Sequence, residues 1–247
     1  MSGTVYLVGA GPGAPDLLTL RAARLLERAD IVFHDALVHP EVVALATRAV
    51  KVAVGKRCGR HSTAQRFICK RLVDAARDLA VVVRLKGGDP MLFGRAQEEI
   101  DALDAAGIRR EVVPGVTAAL AACAEIGVSL TRRGLARSAA LVTPRTGEGE
   151  APGEWTRAAL AADSVAIYMG AGQAGTIAAA LAAAGKPACT PVAIVENASL
   201  PQARRVAGTL GRLASLAARL GNGPAVILLG EAFAAVREAG AMSRRAA

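Results

Sequence analysis

The sequence predicts an α/β protein of two domains with largely parallel sheets, and three observations lead there. Apolar, β-branched segments recur at 4–8, 30–34, 50–54, 81–86, 110–113, 138–143, 164–169, 191–195 and 225–229. Most are separated by Ala- and Leu-rich stretches of helical spacing, and strands alternating with helices specify layers built on parallel sheets. The chain has 247 residues and is 53% hydrophobic, enough for two cores.

The first strand runs into "VYLVGAGPGAPDLLTLRAARLL" at 5–26. Gly9, Gly11 and Gly13 let the backbone turn sharply and approach a ligand, and a helix starting after such a turn attracts negative charge. Asp35 ends the second strand, where a ribose-binding acid would stand in a dinucleotide site. Pro12 removes an amide donor from the loop and Pro15 delays the helix, so the turn suits a less charged ligand than a pyrophosphate. After the third strand, Ser62 and Gln65 in "HSTAQRFICKRLV" have the spacing of a capping box.

Two further glycine-bearing turns follow strands, in "VVVRLKGGDPMLFGR" at 81–95 and "VVPGVTAA" at 112–119. Turns at the carboxyl ends of strands in an open sheet converge on one ligand pocket. The domain junction is placed at the Pro114-Gly115 turn, giving an N-terminal domain over 1–114 and a C-terminal domain over 115–247. Within the second domain, "RTGEGEAPGE" at 145–154 reads as a loop and "REAGAMSRRAA" as a frayed tail.

Composition excludes several classes. Cys58, Cys69, Cys123 and Cys189 lack CxxC spacing, so neither a metal site nor a disulfide framework is expected. No run of eighteen apolar residues occurs and "MSGTVYL" lacks signal-peptide features, so a soluble, cytoplasmic chain without membrane contact is expected. The net charge of +9 favours an anionic partner. With 3% aromatic residues and no aromatic-basic interleaving, nucleic acid is not expected.

Eight segments occur in order from about residue 4 to about residue 231: "VGAGPGAPDLLTLRA", "HDALV", "VGKRCGRHS", "VVRLKGGDPMLFGR", "VVPGVTAA", "AIYMG", "TPVAIVENAS" and "GPAVILLGE". Together they resemble the uroporphyrinogen-III C-methyltransferases, a family of tetrapyrrole methylases that use S-adenosyl-L-methionine. The most specific element is "RLKGGDPMLFGR", which sister enzymes acting on later corrin intermediates resemble less well. The resemblance implies two α/β domains with the cofactor cleft between them and a homodimer. It also implies methylation of uroporphyrinogen III at C2 and then C7, giving precorrin-2 through precorrin-1 on the routes to sirohaem and cobalamin. S-adenosyl-L-homocysteine is the other product.

By the same resemblance Pro12, Gly87, Gly88, Asp89, Leu92, Thr117, Ala118, Met169 and Ala198 contact the cofactor, and Asp35 and Lys56 serve in acid–base roles. Each has a plainer alternative. Met169 would be core filler, Asp89 before Pro90 a turn pair, Asp35 a cap and Lys56 a solvated charge. The chain departs from the family pattern at Cys69, Ala96, Gln97, Arg132, Pro144 and Arg145. These departures leave a methyltransferase of a later precorrin, or of another substrate, as the alternative reading. Lys56, Arg57, Arg84, Lys86, Arg95, Arg132, Arg133 and Arg145 lie in or beside the motif turns, where a cationic rim would receive a polycarboxylate tetrapyrrole.

Overall fold

The computed structural model describes residues 2–54, 65–146 and 154–236. The chain divides into two compact units, Met1–Ala118 and Ala119–Ala247. Lys56, Arg57, the Ser62 cap and the tail from residue 237 lie outside the described residues.

Unit 1 holds β1 (Thr4–Gly9), α1 (Leu20–Arg28), β2 (Ile31–His34), α2 (Pro40–Ala44), β3 (Val50–Ala53), α3 (Gln65–Asp78), β4 (Val81–Lys86), α4 (Ala96–Ala105) and β5 (Arg109–Val113). Its sheet has the order β3-β2-β4-β1-β5, and every pairing is parallel. Alternate side chains serve opposite faces. Val5 and Leu7 of β1 and Val82 of β4 pack with Ile68 and Leu72 of α3 and Ile100 and Leu103 of α4. Val8, Val83 and Leu85 pack on the other face with Leu25 and Leu26 of α1 and Val42 of α2. The sheet is thus buried on both sides, the condition under which all-parallel sheets occur. Pro15 delays α1 as the sequence suggests: residues Pro15–Leu17 form a 3-10 turn, and Thr19 caps the helix by accepting from the Ala22 amide at 3.1 Å.

α5 (Ala118–Ile126) leads into unit 2, which contains β6 (Ala139–Val142), α6 (Trp155–Ala161), β7 (Ser164–Tyr168), α7 (Ala174–Ala183), β8 (Pro191–Glu196), β9 (Arg204–Thr209), α8 (Leu213–Ala217) and β10 (Ala225–Leu229). The order is β6-β7-β10-β8-β9. Here the sheet departs from the parallel expectation, because only β6 and β7 pair parallel, while β7-β10, β10-β8 and β8-β9 are antiparallel. The sequence reading also omits β9. The antiparallel pairing follows from the 197–203 link between β8 and β9, too short for the dozen or more residues that a parallel crossover needs. An edge strand reading "RRVAGT" also lacks a long apolar run. Val165, Ile167, Ile194, Ile227 and Leu229 form the core of this unit with Ile177 and Leu181 of α7 and Leu213 and Leu216 of α8.

Candidate active site

β4, β1 and β5 are neighbours in the unit 1 sheet, so the turns that leave their carboxyl ends lie side by side. Gly88 donates its amide to the Gly11 carbonyl at 2.8 Å, and Gly11 returns one to Gly88 at 3.2 Å. A Cβ on Gly9 would lie 2.6 Å from the Gly115 backbone, and one on Gly115 would lie 2.3 Å from the Gly88 carbonyl oxygen. These glycines are required by contact of three backbones. Asp89 fastens the assembly. Its Oδ1 accepts the Met91 amide at 2.8 Å and its Oδ2 the Gly115 amide at 2.9 Å. The turn pair with Pro90 is therefore real, and the same carboxylate also reaches across to the turn after β5. The space toward which a Gly88 side chain would point is open, with the Thr117 and Ala118 backbones first met at 4.0 Å.

Unit 2 has its own pair of turns. Met169, directly after β7, has φ 55° and is 41% exposed, so it is not core filler. Beside it, the Tyr168 hydroxyl accepts the Ala119 amide at 3.1 Å, occupying one of the donors at the start of α5. Ala198 is buried between Asn197 at φ 52° and Ser199 at φ 75°. Every non-glycine residue with positive φ among the described residues falls in a segment singled out by sequence: Phe93 and Arg95, Met169, Asn197 and Ser199. Such conformations cost about 1–3 kcal/mol each and concentrate where ligands are clamped.

Asp35 follows β2 and is more than a cap. Its Oδ1 accepts from Arg84 Nη2 at 2.5 Å, and Arg84 Nε donates to Glu99 Oε1 at 2.9 Å. Lys86 Nζ donates to both oxygens of Glu99, at 3.1 and 3.0 Å, and Gln65 Nε2 donates to Oε1 at 3.0 Å. Arg84 and Lys86 are thus buried partners of acids, and they leave the proposed cationic rim. Their positions two apart on β4 put both on the face covered by α3 and α4. Burial works against the Arg84 charge, but Asp35 and Glu99 outweigh it and raise its pKa. Burial and the adjacent Arg84 lower that of Lys86, against the pull of Glu99. The sequence reading missed Glu99. Its available signal was two cations spaced i, i+2 within an otherwise apolar strand, which demand a buried acid.

Of the other rim cations, Arg95 pairs with Glu98 through Nε at 2.7 Å, and Arg132, Arg133 and Arg145 are exposed. Pro12 and Leu92 are half-buried beside their turns. Among the departures, Cys69 is buried on α3 with its thiol 3.6 Å from the Glu98 carbonyl, and burial followed by nearby Glu99 raises its pKa. Ala96 is buried at the start of α4, Gln97 is exposed and donates to Asp101 at 2.7 Å, and Pro144 is half-buried. No group of three His, Cys, Asp or Glu residues able to hold a metal ion is found among the described residues, and none of their helices is long and apolar enough to cross a membrane.

Comparison with known proteins gives consistent matches. The family model for Tetrapyrrole (Corrin/Porphyrin) Methylases matches residues 4–214. The uroporphyrinogen-III C-methyltransferase of Pseudomonas aeruginosa is 44% identical over 94% of each chain. The siroheme synthase of Chromobacterium violaceum is 46% identical over 93% of this chain, which spans about half of that longer protein. Among solved structures, the uroporphyrin-III C-methyl transferase of Thermus thermophilus complexed with S-adenyl homocysteine superposes with a TM-score of 0.81 at 43% identity, covering 93% of this chain and 98% of that one. A cobalt precorrin-4 methyltransferase superposes equally well, with a TM-score of 0.81, at 30% identity, covering 93% of this chain and 95% of that one. Matched by the family model over most of its length and by a methyltransferase relative from end to end, this chain belongs to the tetrapyrrole (corrin/porphyrin) methylase family.

Proposed function

We propose that the protein transfers methyl groups from S-adenosyl-L-methionine to C2 and then C7 of uroporphyrinogen III, giving precorrin-2 by way of precorrin-1, and that it does so as a cytoplasmic homodimer. The observation that carries the reading is the end-to-end likeness, at 44% identity, to a relative named for this reaction.

The residues present fit the cofactor. A pyrophosphate would need free amides at the three unit 1 turns, yet Gly11 and Gly88 spend theirs on each other, Met91 and Gly115 spend theirs on Asp89, and Pro12 has none. The turn instead presents a carboxylate, which suits a ligand bearing ammonium and sulfonium charges. Pro12, Gly87, Gly88, Asp89, Leu92, Thr117, Ala118, Met169 and Ala198 are the proposed cofactor contacts.

When bound, S-adenosylmethionine supplies an electrophilic methyl group, and an electron-rich pyrrole carbon of the porphyrinogen is the nucleophile. The chain's tasks are to align the two, to exclude water and to accept the proton lost as the methylated ring rearranges. Asp35, 29% exposed at the end of β2, is the proposed acceptor, with Lys56 as its partner in proton management. Leu37, whose Cβ would stand 3.5 Å from a Cβ on Gly87, and the exposed Met91 and Phe93 offer apolar surface to the macrocycle, while Arg95, Arg132, Arg133 and Arg145 suit its carboxylates.

Calorimetric titration with S-adenosylhomocysteine, NAD and NADP tests the cofactor assignment. Saturable binding of the first, tighter than either dinucleotide, is expected. Tight dinucleotide binding with none of S-adenosylhomocysteine would overturn it.

A further inference from the structure

The charge cluster under the unit 1 turns is costly to build, since several ions are taken out of water together. Side-chain exposure is 2% for Arg84, 3% for Lys86 and nil for Glu99. Apolar residues of similar volume would stabilise a core at least as well, so stability alone does not explain the cluster. Only Asp35, at 29%, reaches the surface.

The geometry runs in one direction. Glu99 projects from the first turns of α4 and takes Arg84 Nε on the same oxygen that takes Lys86 and Gln65. Arg84 Nη1 faces the carbonyls of Phe33, at 3.4 Å, and Leu85, at 3.2 Å, leaving Nη2 directed at Asp35. A guanidinium is a planar fork, so fixing one edge on Glu99 fixes where the other edge points. Lys86, held by both oxygens of Glu99, runs beneath the 87–95 turn, with its Cε 3.2 Å from where a Cβ on Gly94 would stand.

We propose that Glu99 is a positioning residue for methyl transfer: through Arg84 it aims the Asp35 carboxylate, and through Lys86 it anchors the root of the 87–95 turn to the same assembly. This rests on the methyltransferase reading above. One carboxylate thereby keeps the proton acceptor and the cofactor turn in register.

The test compares wild type with Glu99→Gln, Asp35→Asn and the double variant, with Asp101→Asn as a control on the exposed face of the same helix. Glu99→Gln is expected to lower kcat roughly 10- to 100-fold, the scale of a misplacement of about 1 Å, while the cofactor KM changes less than about threefold. Acting through Asp35, it should add little to Asp35→Asn, so the double variant falls no further than Asp35→Asn alone. Asp101→Asn should stay within about twofold of wild type. Hydrogen exchange, read without turnover, should quicken at residues 35–38 and 88–92 and remain unchanged in β1 and β5. If Glu99→Gln does not fold by circular dichroism, Glu99→Asp takes its place in every arm. Additive losses in kcat, or unchanged exchange at both turns, would overturn the proposal. Wild-type protein that methylates no porphyrinogen would instead overturn the methyltransferase reading, and the exchange data would still decide whether Glu99 positions the two turns.

Discussion

Asp89 shows how a residue chosen by resemblance acquires a physical role from its neighbours. Its carboxylate satisfies two backbone amides in two different turns, and amides left without an acceptor cost about 1–3 kcal/mol. Asp89→Ala should therefore lower the thermal midpoint and weaken S-adenosylhomocysteine binding roughly tenfold, about 1.4 kcal/mol, by calorimetry. Asp89→Asn, which keeps one carbonyl acceptor, should fall between. Binding unchanged in both variants would remove Asp89 from the site. Asp163 gives a second prediction. It accepts from the Ser138 hydroxyl at 2.8 Å and from the Ser138 and Arg137 amides at 2.9 Å, and these bonds lower its pKa. A depressed carboxylate stabilises the fold above its unfolded pKa, about 3.9, and the contribution is lost as pH falls through the lower folded value. Asp163→Asn should thus lose less stability than wild type between pH 5 and pH 2, measured by urea midpoints; parallel curves would contradict the assignment. The turn residues were legible because glycine and proline carry local backbone meaning. Glu99 was not, because its partners on β4 stand 13 and 15 positions away in the chain and only folding brings them together.

At the scale of elements, the strand-turn-helix joints decide whether the site exists. Gly115→Ala would drive a methyl into the Gly88 carbonyl at 2.3 Å, so the backbones after β4 and β5 must separate. Loss of several kcal/mol and of cofactor binding is expected, the scale of an overpacked buried contact or more. Gly172→Ala meets nothing within 4 Å and is expected to be neutral or slightly stabilising, because alanine restricts the unfolded chain. Equal denaturation midpoints for the two variants would contradict this account. Most strands were legible from apolar runs, and the all-parallel unit 1 sheet followed from the helices between them. β9 was not legible, since "RRVAGT" presents charge on an edge. The antiparallel pairing around it follows from a short link rather than from any composition within the strands.

At the scale of the whole molecule, the +9 charge was read as a rim for an anionic substrate, and the structure narrows that rim. Arg84 and Lys86 are consumed internally by Glu99 and Asp35, while Arg95, paired with Glu98, stays exposed together with Arg132, Arg133 and Arg145. Because salt screens exposed charges beyond about 10 Å at 0.1 M, raising salt tenfold should increase the tetrapyrrole KM several-fold and leave the cofactor KM nearly unchanged. Equal responses would place recognition elsewhere than in charge. The central claim is the reaction itself, and the most direct measurement is the mass of its product. Purified protein incubated without oxygen with uroporphyrinogen III and methyl-labelled S-adenosylmethionine should yield a tetrapyrrole carrying two labelled methyl groups, preceded by a singly methylated species. Label absent from uroporphyrinogen III, or carried only by a later precorrin offered beside it, would contradict the account.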